Sequence, residues 1–237
     1  MTADILSISR ADGVTTLTMD DGKANVMSVR MLQALHQAFE QAQGHGDLVL
    51  LQGRAGMFSG GFDLGVFKRD PTETVQMLTE GARLTERLLS YPHPVLAVAT
   101  GHAVAMGLFV LLGADWRIGI DQGARFHAIE VQIGMTLPRF ATEVCRQRLS
   151  PAALQRAALT AAPHTPAQAL EAGMIDELAA ADALPAAVQA QLARLKALDP
   201  KSFTATKQRL RAATLAALRQ AITADVAEWQ TRIGGQR

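Results

Sequence analysis

Two glycine-bearing segments are the parts of this chain best suited to chemistry by backbone groups. The first is Gly56-Met57-Phe58-Ser59-Gly60-Gly61-Phe62-Asp63-Leu64, just after the apolar run Leu48-Val49-Leu50-Leu51-Gln52. Ligand sites in α/β folds gather beyond the carboxyl ends of such strands, and adjacent glycines let a ligand come close to backbone N–H groups. A tight surface turn accounts for the same residues. The second is Gly101-His102-Ala103-Val104-Ala105-Met106-Gly107. It sets small residues before an apolar helix, whose first N–H groups would face an anion or a developing oxyanion. Small residues also let a buried helix pack closely on a strand, and that alone explains the motif.

Side chains add little at this level. His102 and His127 flank the two segments, as substrate contacts or as hydrogen-bonded structural histidines. His36 and His45 have no partner signature, and with no H-E-x-x-H pattern a metal is not implied. Asp115 and Arg117 read as strand-entry structure, Cys145 as an inert helix residue, and Glu130 taken alone as a solvated surface glutamate.

The elements that must position these segments alternate in type. ILSISR and VTTLTM, split by Asp12-Gly13, predict a hairpin. Residues 28–42 put Met31, Leu32, Leu35, Ala38, Phe39 and Ala42 on one helical face. LVLLQ and VLAVA predict strands buried on both faces, and residues 72–90 an amphipathic helix stopped by Tyr91-Pro92-His93-Pro94. A Gly/His turn and an apolar helix to about Gly113 follow, then strands at WRIGI and ARFHA. Alternating strands and helices predict an α/β sheet architecture. Beyond this the chain is helical: Ser150-Pro151 and Thr165-Pro166 each pair a cap with a first-turn proline, and Gly173 stops the second helix. A break near Asp199-Pro200 precedes a long helix from about Thr204 to Trp229, which should pack on the core rather than form an independent domain.

Composition narrows the classes. Over 237 residues, 49% hydrophobic content excludes a disordered chain, and 23 Lys+Arg against 22 Asp+Glu leave no global footprint for nucleic acid. Aromatics at 5% supply no stacking platform for single strands. The lone cysteine excludes an internal disulfide and a Cys-based zinc site, and fits a reducing compartment. Met1–Arg10 contains Asp4 and no basic stretch followed by an apolar run, so no secretory leader is expected. Residues 95–114 carry no charge and have about the length to span a bilayer, yet glycines and His102 interrupt them; a strand, a glycine break and a buried helix account for them without lipid.

Five segments in order resemble the crotonase (enoyl-CoA hydratase/isomerase) superfamily. GKANVMS is similar to its early loop beside coenzyme A, and FSGGFDL to F-S-x-G-x-D-L. PVLAVATGHAVAMG followed by GADWRIG resembles P-V-I-A-x-x-x-G-x-A-x-G-G-G followed by x-x-C-D-x-x-I-A. IEVQIGMTLP resembles P-E-x-x-x-G-x-x-P, and TPAQALEAGMIDEL resembles T-A-x-E-A-x-x-x-G-L-V-D. The resemblance covers about residues 20 to 180. It implies an α/β fold with a crotonase-like (ββα)n spiral core over residues 1–195, and a helical region at 196–237 for oligomerisation and pocket closure.

It also implies a site. In the family, two backbone N–H groups hydrogen-bond the thioester oxygen of an acyl-CoA and stabilise the enolate; matched residue by residue, these fall on Phe62 and Met106. Met106 stands where the family pattern has glycine. Hydratases carry two glutamates, and here the positions read Phe109 and Glu130, which leaves Glu130 as the acid–base group. One carboxylate serves hydration poorly but suffices to move a double bond, and an apolar Phe109 would exclude water and raise the carboxylate's basicity. EVQIG also resembles the E-T-Q-L-G of family isomerases. The implied function is therefore a β,γ- to α,β-enoyl-CoA isomerase of fatty-acid or related acyl-CoA metabolism. The alternatives are an enoyl-CoA hydratase, a catalytically weak acyl-CoA-binding homologue, or another reaction of the same enolate-stabilising site.

Lys23, Ala24, Ser59, Gly60, Gly61, Asp63, Leu64, Gly107, Phe109 and Lys207 are the implied substrate-binding positions. Asp63 is expected to brace its loop. Lys207, in a cluster with Lys201, Arg209 and Arg211, either meets the phosphates of coenzyme A or belongs to a solvated basic face. Chain-length preference is expected to reside in residues 72–90 and 138–149. No separate cofactor is implied, since coenzyme A enters with the substrate. The implied assembly is a cytoplasmic homotrimer or dimer of trimers without nucleic-acid or membrane partners.

Overall fold

The computed structural model describes residues 5–234; the start of Met1–Arg10, where no secretory leader is expected, lies outside them, as do residues 235–237. The predicted hairpin forms: β1 (Leu6–Ala11) and β2 (Val14–Met19) pair antiparallel about Asp12-Gly13, both at positive φ, the geometry a two-residue hairpin turn favours. α1 (Val29–His45) starts where the Ser28 side chain accepts a bond from Met31 N–H and ends at left-handed Gly46. Its buried face comprises the six residues placed there by helical period.

The chain then repeats a strand–strand–helix unit. β3 (Leu48–Gly53) leads to β4 (Gly56–Ser59), α2 (Val66–Arg69) and α3 (Pro71–Ser90). β5 (Val95–Ala99) leads to β6 (Gly101–Val104) and α4 (Met106–Leu112). β7 (Trp116–Ile120) leads to β8 (Phe126–His127), a 3-10 turn at Glu130–Ile133 and α5 (Arg139–Arg146). The first strands of these units, with β1, β2 and the later β9 (Glu177–Ala179), form a six-stranded sheet in the order β1-β2-β3-β5-β7-β9, parallel beyond β2. The second strands form a separate parallel sheet, β4-β6-β8. This is the expected (ββα)n α/β core.

The small sheet corrects part of the sequence reading. Residues 56–59 and 101–104 were expected as turns, yet they pair in parallel, Gly56 with Gly101 and Met57 with His102. The approach is so close that a Cβ on Gly101 would lie 1.9 Å from the Gly56 carbonyl carbon, so no side chain fits there. The predicted ARFHA strand shrinks to Phe126–His127.

Both faces of the central strands of the large sheet are buried, as continuous apolar strands require. Leu17, Met19, Val49, Leu51, Val95 and Ala97 join α1, α3 and α4 in the main core. The alternate residues Val14, Leu48, Leu50, Leu96 and Val98 meet Val188 and Leu192 of α8 (Leu184–Lys196). The uncharged 95–114 run is thus spent on β5, β6 and α4, and every residue of α4 is buried in protein. Among the described residues no helix is long and apolar enough to cross a membrane.

Ser150 and Thr165 cap α6 (Pro151–Thr160) and α7 (Pro166–Ala172), and Gly173 closes α7 in the left-handed region, as predicted. α9 (Pro200–Gly234) begins earlier than expected, because the Asp199 carboxylate accepts the Ser202 N–H at 2.8 Å and caps a helix opened by proline. It packs along α3 and α5 and delivers Leu215, Leu218 and Ile222 to the main core.

Candidate active site

The loop after β4 is held by the early loop. Gly60 N–H donates to the Ala24 carbonyl (2.7 Å) and Met27 N–H to the Gly61 carbonyl (2.8 Å). Ser59 Oγ–H donates to the Asn25 carbonyl (2.7 Å) and accepts from Gly61 N–H (3.2 Å). Asn25, buried and at positive φ, spends its amide on the carbonyls of Met19, Met57 and Phe58. Asn25 thus anchors the GKANVMS segment, a role whose only signal in the sequence is a turn asparagine that tolerates positive φ.

This clamp presses Gly61 against the second loop. Gly61 has φ +96°, and a Cβ on it would lie 2.8 Å from the Ala105 Cβ and 3.4 Å from the Met106 nitrogen. Phe62 and Met106 therefore flank one loop-to-loop contact, and neither backbone N–H meets an acceptor among the described residues. Unpaired, protein-enclosed N–H groups are what a developing oxyanion requires. Gly107 is buried against Ser59, and the Phe62 ring lies over Gly81 of α3. Asp63 accepts the Gly65 N–H at 2.9 Å and braces its loop, while Leu64 lies exposed at the rim.

Ala105 is the unforeseen residue here. It stands at the first of three positions that carry glycine in the family pattern, yet it adopts φ 48°, ψ −124°. Its N–H donates to the His127 carbonyl (2.8 Å), and its own carbonyl accepts from Leu108 (2.9 Å) and Phe109 (3.2 Å). These bonds hold a conformation costing on the order of 1–3 kcal/mol, and so fix the plane of the next peptide, which bears the Met106 N–H. Ala105→Gly should relieve the strain and, after the entropy cost of glycine, stabilise the protein by about 1 kcal/mol. Thermal melting should then shift up by about 2–4 °C; a lower midpoint would show that no strain is stored.

Between the loops lies a cavity of about 130 Å³, lined by Gly60, Phe62, Leu64, Phe67, Leu78, Val104, Ala105, Phe109, Ile129, Glu130, Ile133, Met135 and Pro138. Glu130 is the one titratable side chain among these. It is 6% exposed, and its Oε2 has no hydrogen-bond partner among the described residues. Burial pushes its carboxyl up to about 7, against a smaller opposing bond from its own N–H. The local reading of Glu130 as a solvated surface glutamate is thus overturned. Phe109 is buried and lines the same cavity. Cys145 of α5 is buried, its thiol pushed up to about 12 by burial and, secondarily, by the Glu130 charge, in keeping with an inert role.

Other predicted residues fall outside this cavity. Lys23 is exposed on the early loop, and its carbonyl accepts from Arg54. Lys207 is neither at the cavity nor on a solvated face: it is buried with Nζ 2.7 Å from Asp115 Oδ2, and Arg211 takes the other oxygen at 2.9 Å. Burial, with Arg211 adding to it, outweighs Asp115 and brings the Lys207 ammonium down to about 8. Lys201 and Arg209 stay exposed. His127 bonds the Ala161 carbonyl (2.7 Å), a structural role, and His102 sits half-buried on β6.

Known proteins share this fold. The family model described as enoyl-CoA hydratase/isomerase matches residues 9–233, and the chain belongs to that family. It is 30% identical over 135 residues to the peroxisomal enoyl-CoA delta isomerase 1 of Arabidopsis thaliana, 56% of each chain. The chain thus spans about half the length of that curated relative. Its structure superposes on an enoyl-CoA hydratase, ECHA3, of Mycobacterium marinum with TM-score 0.90 and 37% identity, over 95% of this chain and 100% of the other. An enoyl-CoA isomerase of Mycobacterium tuberculosis gives TM-score 0.90 and 37% identity, over 95% and 99%.

Proposed function

We propose that this protein moves the double bond of a β,γ-unsaturated acyl-CoA into conjugation, acting as an enoyl-CoA isomerase. The observation that carries this reading is that a single buried carboxylate, Glu130, shares an apolar cavity with the loops bearing the unpaired Phe62 and Met106 N–H groups. In its ionised form Glu130 takes the α-proton of the substrate. The electron pair moves into the thioester carbonyl, and the two N–H groups hold the resulting dienolate oxygen. The protonated Glu130 then delivers its proton to the γ-carbon, the carbonyl re-forms, and the double bond stands between the α- and β-carbons. Atoms balance without water.

Hydration would require a second group to place and activate water. Phe109 occupies the position where family hydratases carry that acid, and it fills it with an apolar ring. The names of the similar proteins include both hydratases and isomerases; the single-carboxylate cavity favours the second.

The pH dependence follows from the raised carboxyl. Glu130 must be ionised to act, and its value lies near 7 because of burial. Isomerase kcat/KM should therefore climb with pH through about 7 and level off above it. A profile flat between about pH 5 and 9 would remove Glu130 as the base.

A further inference from the structure

Phe109, which lines the cavity, is backed by a stack of rings. Phe109 packs edge-on against Phe140 of α5, with centroids 6.1 Å apart and planes at 89°. Phe140 in turn packs edge-on against Trp229 of α9, at 6.3 Å and 80°. Phe109 and Phe140 are both fully buried. The backbone beneath Phe140 is fixed as well: its N–H donates to Asp225 Oδ2 at 2.9 Å, and Arg139 N–H and Nη1 reach Oδ1 of the same buried carboxylate at 3.2 and 3.0 Å. A charged anchor on α9 thus holds the start of α5, and with it the ring that supports Phe109.

We propose that the Phe109–Phe140–Trp229 stack is the specificity determinant that limits the acyl group to a short chain. The inference rests on the isomerase reading for its substrate class, and the cavity sets its size. A space of about 130 Å³ is close to the roughly 150 Å³ known to hold one benzene ring. It therefore accepts an acyl group of about four to six carbons. Longer chains find the locked Phe109 ring rather than a tunnel. Other parts of the wall, among them Phe67, Leu78 and Pro138, come from α2, α3 and the start of α5, which include both regions the sequence assigns to chain length. Phe140 does not line the cavity, so it is a positioning residue that acts through Phe109.

Binding of saturated acyl-CoA esters, read by calorimetry, tests this without turnover. Each methylene buried should tighten binding about fourfold. In the wild-type protein the gain should run from butyryl-CoA to hexanoyl-CoA and then stop. Phe109→Leu, and separately Phe140→Leu, should extend the gain to octanoyl-CoA, raising the octanoyl-to-hexanoyl affinity ratio about fourfold or more. Affinity that keeps climbing to dodecanoyl-CoA in the wild type overturns the proposal, whether or not the variants fold. So does a ratio unchanged in both folded variants. Isomerisation that proceeds without length selectivity sinks only the proposal; length-selective binding without isomerisation sinks only the isomerase reading and supports the stack. No acyl-dependent gain over coenzyme A itself overturns both.

Discussion

Replacing Glu130 with glutamine should lower isomerase turnover roughly 100- to 10,000-fold while making the protein more stable above neutral pH. The first effect follows from removing the one group in the cavity that can hold a proton between the α- and γ-carbons. The second follows from linkage. The carboxyl sits near 4.5 in the unfolded chain and near 7 in the folded one, because burial disfavours its charge. Below the lower value both states are protonated, and the group takes nothing from stability. As pH rises toward 7 the unfolded chain ionises first; above 7 the folded protein bears the full penalty, on the order of 3 kcal/mol. Glutamine never ionises, so Glu130→Gln should match the wild type near pH 4.5 and exceed it at pH 8 by up to about 3 kcal/mol. Urea unfolding at the two pH values, beside a turnover assay, reads both effects. Full turnover in the variant would remove Glu130 from the chemistry; an equal stability difference at both pH values would contradict its buried charge.

Gly61→Ala should be nearly as damaging by a different route. The new methyl would sit 2.8 Å from the Ala105 Cβ and 3.1 Å from the Val104 carbonyl, on a backbone at φ +96°. It would drive the two loops apart at the point where Phe62 and Met106 flank their contact. Losing the alignment of one oxyanion donor costs about 100- to 1,000-fold in kcat, so a drop of that order is expected in kcat with a much smaller change in the binding of saturated acyl-CoA. The carboxylate is untouched, so the pH profile of the residual activity should still rise through about 7. A loss confined to KM would assign Gly61 to ground-state binding instead.

How legible these features are in the sequence depends on the range of the interactions that set them. The buried face of α1 and the caps at Ser28, Ser150 and Thr165 are local, and period and spacing locate them. β4 and β6 are four-residue strands rich in glycine and small residues, with no alternation to betray them. Only pairing with each other and with β8 makes them strands. Glu130 is harder still: the residues after it, Val131 to Gly134, are exposed, and the segment has the surface character its composition indicates. The fold turns that one side chain inward against Phe109. Lys207 shows the converse. Its basic neighbours predict solvent or phosphate, but Asp115, 92 residues away in sequence, draws it into the protein. Resemblance to a family singles out Glu130, Phe62 and Met106 because it carries such long-range information; it does not point to Asn25 or to the strain at Ala105.

One buried carboxylate, two backbone donors and an apolar Phe109 are expected to perform isomerisation and not hydration. Mass spectrometry with chromatographic resolution of the products formed from β,γ-hexenoyl-CoA tests it directly. The expected product has the mass of the substrate and the elution of the conjugated α,β-enoyl ester, and Glu130→Gln does not form it. Efficient accumulation of a product heavier by one water, the hydroxyacyl ester, would contradict the account.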